Sequence, residues 1–126
     1  MSARVVHFEV PFDDADRARG FYREVFDWQI QPMPEMNYNI VSTGPVSDQG
    51  MPSEPGYIGG GMMEREAPVS TPVITLAVDD IDATLVAVEE HGGSAVGEKL
   101  QVGEMGFAAY FNDSEGNLMG LWQNAG

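Results

Sequence analysis

The sequence predicts an α+β fold built from two tandem βαβββ modules. Strand-like alternation gives way to helix-like periodicity twice along the chain, and the second copy aligns Val73 with His7. Fifteen glycines and eight prolines supply the turns that such a strand-rich fold needs. We expect one domain at residues 4–124, with module one at about 4–65 and module two at about 72–124. Its eight strands should form a curved, partly open sheet around a cavity, with both helices outside.

The first module opens with a strand, a cap and an amphipathic helix. Residues 5–10 alternate in type, which places His7 and Glu9 on one face of a strand. Acidic residues at 13–16 suit a helix start, and apolar residues at three- and four-residue steps continue the helix to about Asp27. Three further strands and one long loop are predicted: strands at 28–33, 37–43 and 57–64, and the loop at 44–56.

The second module repeats this order. A strand at 72–78 precedes a helix at 80–90, which the glycines after His91 should close. Three strands complete the module, at 94–102, 105–112 and 118–123.

Charge and composition exclude several classes of function. Twenty acidic residues against six basic ones give a net charge of −14, which repels nucleic-acid phosphates and anionic lipid. The chain has no cysteine, so disulfides, thiolate metal sites and a cysteine nucleophile are excluded. No run of about 18 apolar residues is present, which favours a cytoplasmic protein. The acidic surface also suits a salt-rich cytoplasm, and a halophilic source is one explanation for it.

Three stretches in order resemble the vicinal oxygen chelate superfamily, which includes glyoxalase I, bleomycin resistance proteins, extradiol dioxygenases and methylmalonyl-CoA epimerase. They are HFEV at 7–10, the aromatic helix and strand start at 21–28, and the DSEGN hairpin at 113–117. The glycine-rich strand at 58–63 is similar to a subset of glyoxalase-like proteins. The resemblance covers residues 4–124 and implies the same fold.

Enzymes of this superfamily hold a divalent metal with side chains from four strands. Carried over by position, the resemblance implies His7, Gly60, Val73 and Gly120 here, of which His7 alone can bind a metal. We therefore predict no metal site and no cofactor. One alternative is a weak two-ligand site formed by His7 and Glu9, which lie about 7 Å apart along the strand. His91, beside two glutamates at a helix end, is given no site role.

Strand alternation from the matched positions predicts the residues that line the cavity. They form a mostly apolar pocket with a few polar groups, as small-molecule sites do. The alternative is that these side chains only fill the interior. The predicted ligand-binding residues are His7, Glu9, Tyr38, Tyr57, Gly60, Met62, Thr75, Tyr110 and Trp122.

Two functions remain open at this stage. The first is a glyoxalase-like protein that binds a small organic molecule without the metal. The second is a lyase or isomerase in which His7 and Glu9 act as acid and base, with or without a weakly held divalent metal. The resemblance also implies a homodimer.

Overall fold

The computed structural model describes residues 2–126, which divide into two compact units. One unit is His7–Pro72, and the other is Val73–Gly126 together with residues 2–6. The residues before His7 thus belong with module two, where the main-chain N–H of Ala77 donates to the carbonyl of Arg4 at 2.9 Å. The sequence-based start of module one, at residue 4, falls within this short segment.

Module one has the predicted order of one strand, one helix and three strands. Its sheet runs in the order β2-β3-β4-β1, with β4 parallel to β1 and the other neighbours antiparallel. The elements are β1 Val5–Phe12, α1 Ala15–Phe26, β2 Gln29–Met33, a 3-10 turn Pro34–Met36, β3 Tyr38–Ser42 and β4 Gly60–Glu64.

Helix α1 begins and ends where the sequence placed it. The carboxylate of Asp14 caps the first turn by accepting from the main-chain N–H of Arg17 at 3.0 Å. Asp27 ends the helix with φ of 58°. The ring of Trp28 then stacks on Tyr22, with centroids 4.5 Å apart, which fixes the chain as it turns from α1 into β2.

The core of module one lies between α1 and one face of the sheet. Ile30, Val41 and Met62 are its buried centre, and Met62 is 0% exposed. Partly buried apolar side chains surround them: Phe8, Val10, Phe12, Ala18, Tyr22 and Trp28. The even-numbered residues of β1 therefore face the helix, and the odd-numbered ones face away from it.

Module two repeats this topology. Its sheet runs in the order β5-β8-β7-β6, with β5 parallel to β8 and the other neighbours antiparallel. The elements are β5 Val73–Ala77, α2 Ile81–Glu90, β6 Ser94–Val102, β7 Gly106–Asn112 and β8 Leu118–Asn124.

Helix α2 is capped at both ends, and the predicted glycines close its C-terminal end. Asp80 accepts from the main-chain N–H of Ala83 at 3.1 Å. At the other end Gly92 has φ of 96°, and the N–H of Gly93 donates to the carbonyl of Val88 at 2.9 Å. The helix covers a core whose buried members are Ile81, Ala109, Phe111 and Leu121.

Two modules with the same strand order confirm the predicted α+β class and its tandem βαβββ organisation. The largest difference in a strand boundary is in β4, which begins at Gly60 rather than at Tyr57. The curvature of the sheet and a cavity enclosed by both modules stay predictions.

Candidate functional site

The register of module one decides which predicted residues share a face. Glu9 pairs with Gly61 across β1 and β4, and Ile40 pairs with Gly61 across β3 and β4. Paired residues project to the same side of a sheet, and so do residues two apart along a strand. His7, Glu9, Tyr38 and Gly61 therefore lie together on the face opposite α1.

On this face three polar side chains form one hydrogen-bonded network. The hydroxyl of Tyr38 donates to Oε2 of Glu9 at 2.9 Å. The hydroxyl oxygen of Tyr38 also lies 2.9 Å from Nε2 of His7. The tyrosine hydroxyl thus joins the two residues of β1 that the sequence singled out, although it comes from a different strand.

Burial of the polar groups of this network costs free energy unless each group has a hydrogen-bond partner. Glu9 is only 9% exposed, and a buried carboxylate requires hydrogen-bond donors. Burial lowers the pKa of His7 from its ordinary value of 6.5, and the negative charge of Glu9 opposes that shift only in part. His7 is consequently neutral at neutral pH.

Gly61 makes the room in which the tyrosine hydroxyl sits. A Cβ at this position would lie within 3.0 Å of the hydroxyl oxygen of Tyr38 and would overlap the ring carbons next to it. A run of three glycines at 59–61 allows another group to approach this strand closely. The structure assigns that close approach to Gly61 and to a side chain of the protein itself.

The predictions for Gly60 and Met62 were wrong in their direction. Both lie on the face toward α1, since Gly60 pairs with Val41 and Met62 pairs with Val10. Met62 is fully buried in the core, and a Cβ on Gly60 would meet the Phe8 ring at 2.6 Å. The carry-over by position had treated Gly60 as the counterpart of Gly120, whereas the pairing makes Gly61 that counterpart. A shift of one residue reverses the direction of every side chain of a strand.

Tyr57 is also away from the network. It lies in the loop before β4, where its ring covers Gly44 and its hydroxyl donates to the carbonyl of Pro45. This arrangement holds the loop together. The residue is therefore placed in a structural role that alternation alone did not indicate.

In module two, the three predicted residues do share a face. Gly120 pairs with Thr75 on one side and with Tyr110 on the other, and Trp122 lies two residues further along β8. All face away from α2, because Leu76 and Leu121 face toward it. Thr75 is 7% exposed and lies over Gly120, whose missing Cβ would be 2.7 Å from its Oγ1. The indole N–H of Trp122 donates to Oδ1 of Asn124 at 2.8 Å.

A cleft that the sequence did not predict lies on the helix side of module one. Its volume is about 270 Å³, and it opens between the start of α1 and the turn that joins β2 to β3. Arg19 and Glu64 are its charged residues. Arg19 already donates to Asp16 and to Asn39, and Asn39 in turn donates to the carbonyl of Met62. A polar residue on the apolar side of β3 was the one signal that could have indicated it.

Sequence comparison finds a bleomycin-resistance-like family model and glyoxylase-like relatives. The family model described as "Bleomycin resistance protein-like N-terminal" matches residues 4–44. A glyoxylase-like domain-containing protein of Didymella fabae is 28% identical over 131 aligned positions, which cover 100% of this chain and 98% of the relative. A putative glyoxylase of Mycobacterium tuberculosis is 27% identical over 113 residues, and there the match spans 87% of this chain but only 41% of that protein.

Solved structures show the same fold at low identity. A methylmalonyl-CoA epimerase in complex with methylmalonyl-CoA and NH4+ has a TM-score of 0.65 at 17% identity, over 99% of this chain and 96% of that one. A hypothetical protein from Bacillus halodurans has a TM-score of 0.66 at 15% identity, over 98% and 96%. The matching family model and relatives indicate the vicinal oxygen chelate superfamily, and the solved structures share the fold of this chain.

Side chains that could bind a metal are few on this face of module one. Within residues 2–126 no group of three or more His, Asp or Glu residues is placed to hold a metal ion. His7 and Glu9 are the one pair of suitable ligands on this face, and the Tyr38 hydroxyl bonds to both.

In the part of the chain that the structure describes, neither α1 nor α2 is long and apolar enough to cross a membrane.

Proposed function

We propose that this protein is a glyoxalase-like small-molecule-binding protein of the superfamily, that it uses no metal or cofactor, and that it works in the cytoplasm as a homodimer. One observation supports the proposal above the others. The hydroxyl of Tyr38 lies within hydrogen-bond distance of both His7 and Glu9, at 2.9 Å from each, where a bound cation would have to displace it. The polar centre of module one is therefore complete without an ion.

Charge narrows the class of ligand. With a net charge of −14, the protein repels polyanions, and the polar side chains of the site include the carboxylate of Glu9. The structural neighbours include an epimerase that holds methylmalonyl-CoA. A ligand with several phosphates is disfavoured here, and a neutral or cationic organic molecule suits the site better.

A second candidate function is a lyase or isomerase in which His7 serves as the base. The lowered pKa of His7 keeps the imidazole neutral and able to accept a proton at neutral pH. Glu9, which is linked to His7 through the hydroxyl of Tyr38, is the second acid–base group. Binding takes precedence because the other three positions carried over from the family's enzymes, Gly60, Val73 and Gly120, supply no second base.

Metal addition tests the metal-free part of the proposal. Purified protein would be dialysed against Ni²⁺, Zn²⁺, Mn²⁺ or Fe²⁺ and analysed for bound metal, beside His7→Ala and His91→Ala variants. We expect no stoichiometric ion in any of the three proteins. A stoichiometric ion that is lost in His7→Ala but retained in His91→Ala would disprove the proposal.

A fragment screen tests the binding part. Neutral, cationic and anionic fragments would be screened by NMR chemical-shift changes against the wild-type protein and the same two variants. We expect neutral or cationic fragments to shift the resonances of module-one strands. His7→Ala should weaken the binding of these fragments about tenfold, the equivalent of one hydrogen bond. His91→Ala should bind normally, since His91 lies at the exposed end of α2. Unchanged binding in His7→Ala would remove His7 from the site.

A further inference from the structure

The hydrogen bonds around Tyr38 determine which nitrogen of His7 carries the proton. A tyrosine hydroxyl has one proton to donate, and here it goes to Oε2 of Glu9. The contact of 2.9 Å between the same oxygen and Nε2 of His7 must then use a proton on Nε2. In a neutral imidazole the other nitrogen, Nδ1, is left with a free lone pair.

That lone pair is reachable from outside the protein. No hydrogen bond to Nδ1 of His7 is formed by any of residues 2–126. Over the same residues, every buried side-chain nitrogen or oxygen has a partner, so an unpartnered Nδ1 must be accessible to solvent. His7 is accordingly only partly buried.

We propose that Nδ1 of His7 is the acceptor that a ligand must satisfy, and that Tyr38 and Glu9 are positioning residues that hold it in this state. The inference rests on the small-molecule-binding function proposed above and names its ligand class. The ligand carries an O–H or N–H donor on a neutral or cationic organic body. A carboxylate or a phosphodiester brings only lone pairs to Nδ1 and is rejected.

Nitrogen-15 NMR of the histidine side chains in the ligand-free protein tests the first half. The chain has two histidines, so His91→Ala assigns the His7 signals. At a pH above the ordinary histidine pKa, we expect the Nε2–H tautomer with an unprotonated Nδ1. A predominant Nδ1–H tautomer, or an even mixture, would overturn the proposal.

Two variants of similar size separate the role of Glu9 from a general effect on packing. Glu9→Gln keeps a carbonyl oxygen that accepts from Tyr38, so the tautomer should be retained. Glu9→Leu removes that acceptor and frees the tyrosine proton for Nε2 of His7, so the Nε2–H population should fall. An identical tautomer ratio in Glu9→Leu and the wild type would contradict the positioning role.

Titration with phenol, anisole and benzoate tests the ligand class. These probes share a ring but offer a donor, no donor and a negative charge. We expect phenol to shift the Nδ1 resonance of His7, with anisole and benzoate at least tenfold weaker, and we expect Glu9→Leu to weaken phenol. If anisole acts as phenol does, the donor requirement is wrong while small-molecule binding stands. If phenol leaves Nδ1 unchanged, the ligand class is refuted, and the fragment screen decides separately whether the protein binds small molecules.

Discussion

Replacing Gly61 by alanine tests the network through a single methyl group. The new Cβ would fall within 3.0 Å of the Tyr38 hydroxyl and overlap its ring, so the tyrosine must leave its position. Moving the hydroxyl breaks its bonds to both Glu9 and His7, each now 2.9 Å long. A change on β4 should therefore be felt at two side chains of β1.

The expected cost follows from those two bonds. A hydrogen bond to a carboxylate contributes about 1.5–3 kcal/mol and one between neutral groups about 0.5–1.5 kcal/mol. Against this, alanine reduces the entropy of the unfolded chain and contributes roughly 0.4–1 kcal/mol of stability. We expect Gly61→Ala to lower the free energy of unfolding by about 2–3 kcal/mol.

Urea denaturation followed by circular dichroism measures this value, and two controls isolate its cause. Gly20→Ala lies in α1 with open space around its Cβ, so it should stabilise the protein by about 0.5–1 kcal/mol. In a Tyr38→Ala background the clash is gone, and Gly61→Ala should then leave stability unchanged or raise it by up to about 1 kcal/mol. An equal cost of Gly61→Ala with and without the tyrosine ring would refute the assignment.

Three further predictions concern single groups. Because burial lowers the pKa of His7, the unfolded chain takes up a proton first as the pH falls below the ordinary value of 6.5. Stability should therefore be complete above that pH and decline below it down to the lowered pKa, and urea denaturation at several pH values should show a smaller decline for His7→Gln. The main-chain and side-chain N–H groups of Asn117 lower the pKa of Asp113 from 3.8, so its NMR titration midpoint should lie below that value and rise in Asn117→Ala. Asp14→Ala removes the cap on the N–H of Arg17 and should cost about 1 kcal/mol of unfolding free energy, whereas Asp14→Asn should cost little.

Local patterns in the sequence were sufficient for the elements of the fold. Caps such as Asp14 and Asp80 lie at the predicted helix starts, and Gly92 closes α2 as expected. These features depend on neighbouring residues only, so their physical causes are present in the sequence itself. The tandem modules follow from the repetition of those same features.

The sequence was less informative about strand faces, because register depends on the partner strand. Gly60 and Met62 were assigned to the site face by a match one residue out of step, and the pairing of Glu9 with Gly61 reverses them. Tyr57 was predicted to line the cavity, but it lies in a loop, where its hydroxyl donates to the carbonyl of Pro45. Side-chain direction in a strand alternates at every residue, so a small alignment error has a complete effect.

The sequence by itself determined that this chain has two βαβββ modules and that His7 and Glu9 share a face of the first strand. Only the tertiary structure decided what lies between them. Tyr38 arrives from β3, 31 residues from His7 along the chain, and fits only because Gly61 on β4 lacks a side chain. Contacts among three separate strands are set by sheet pairing, and no local pattern encodes which side chains that pairing brings together.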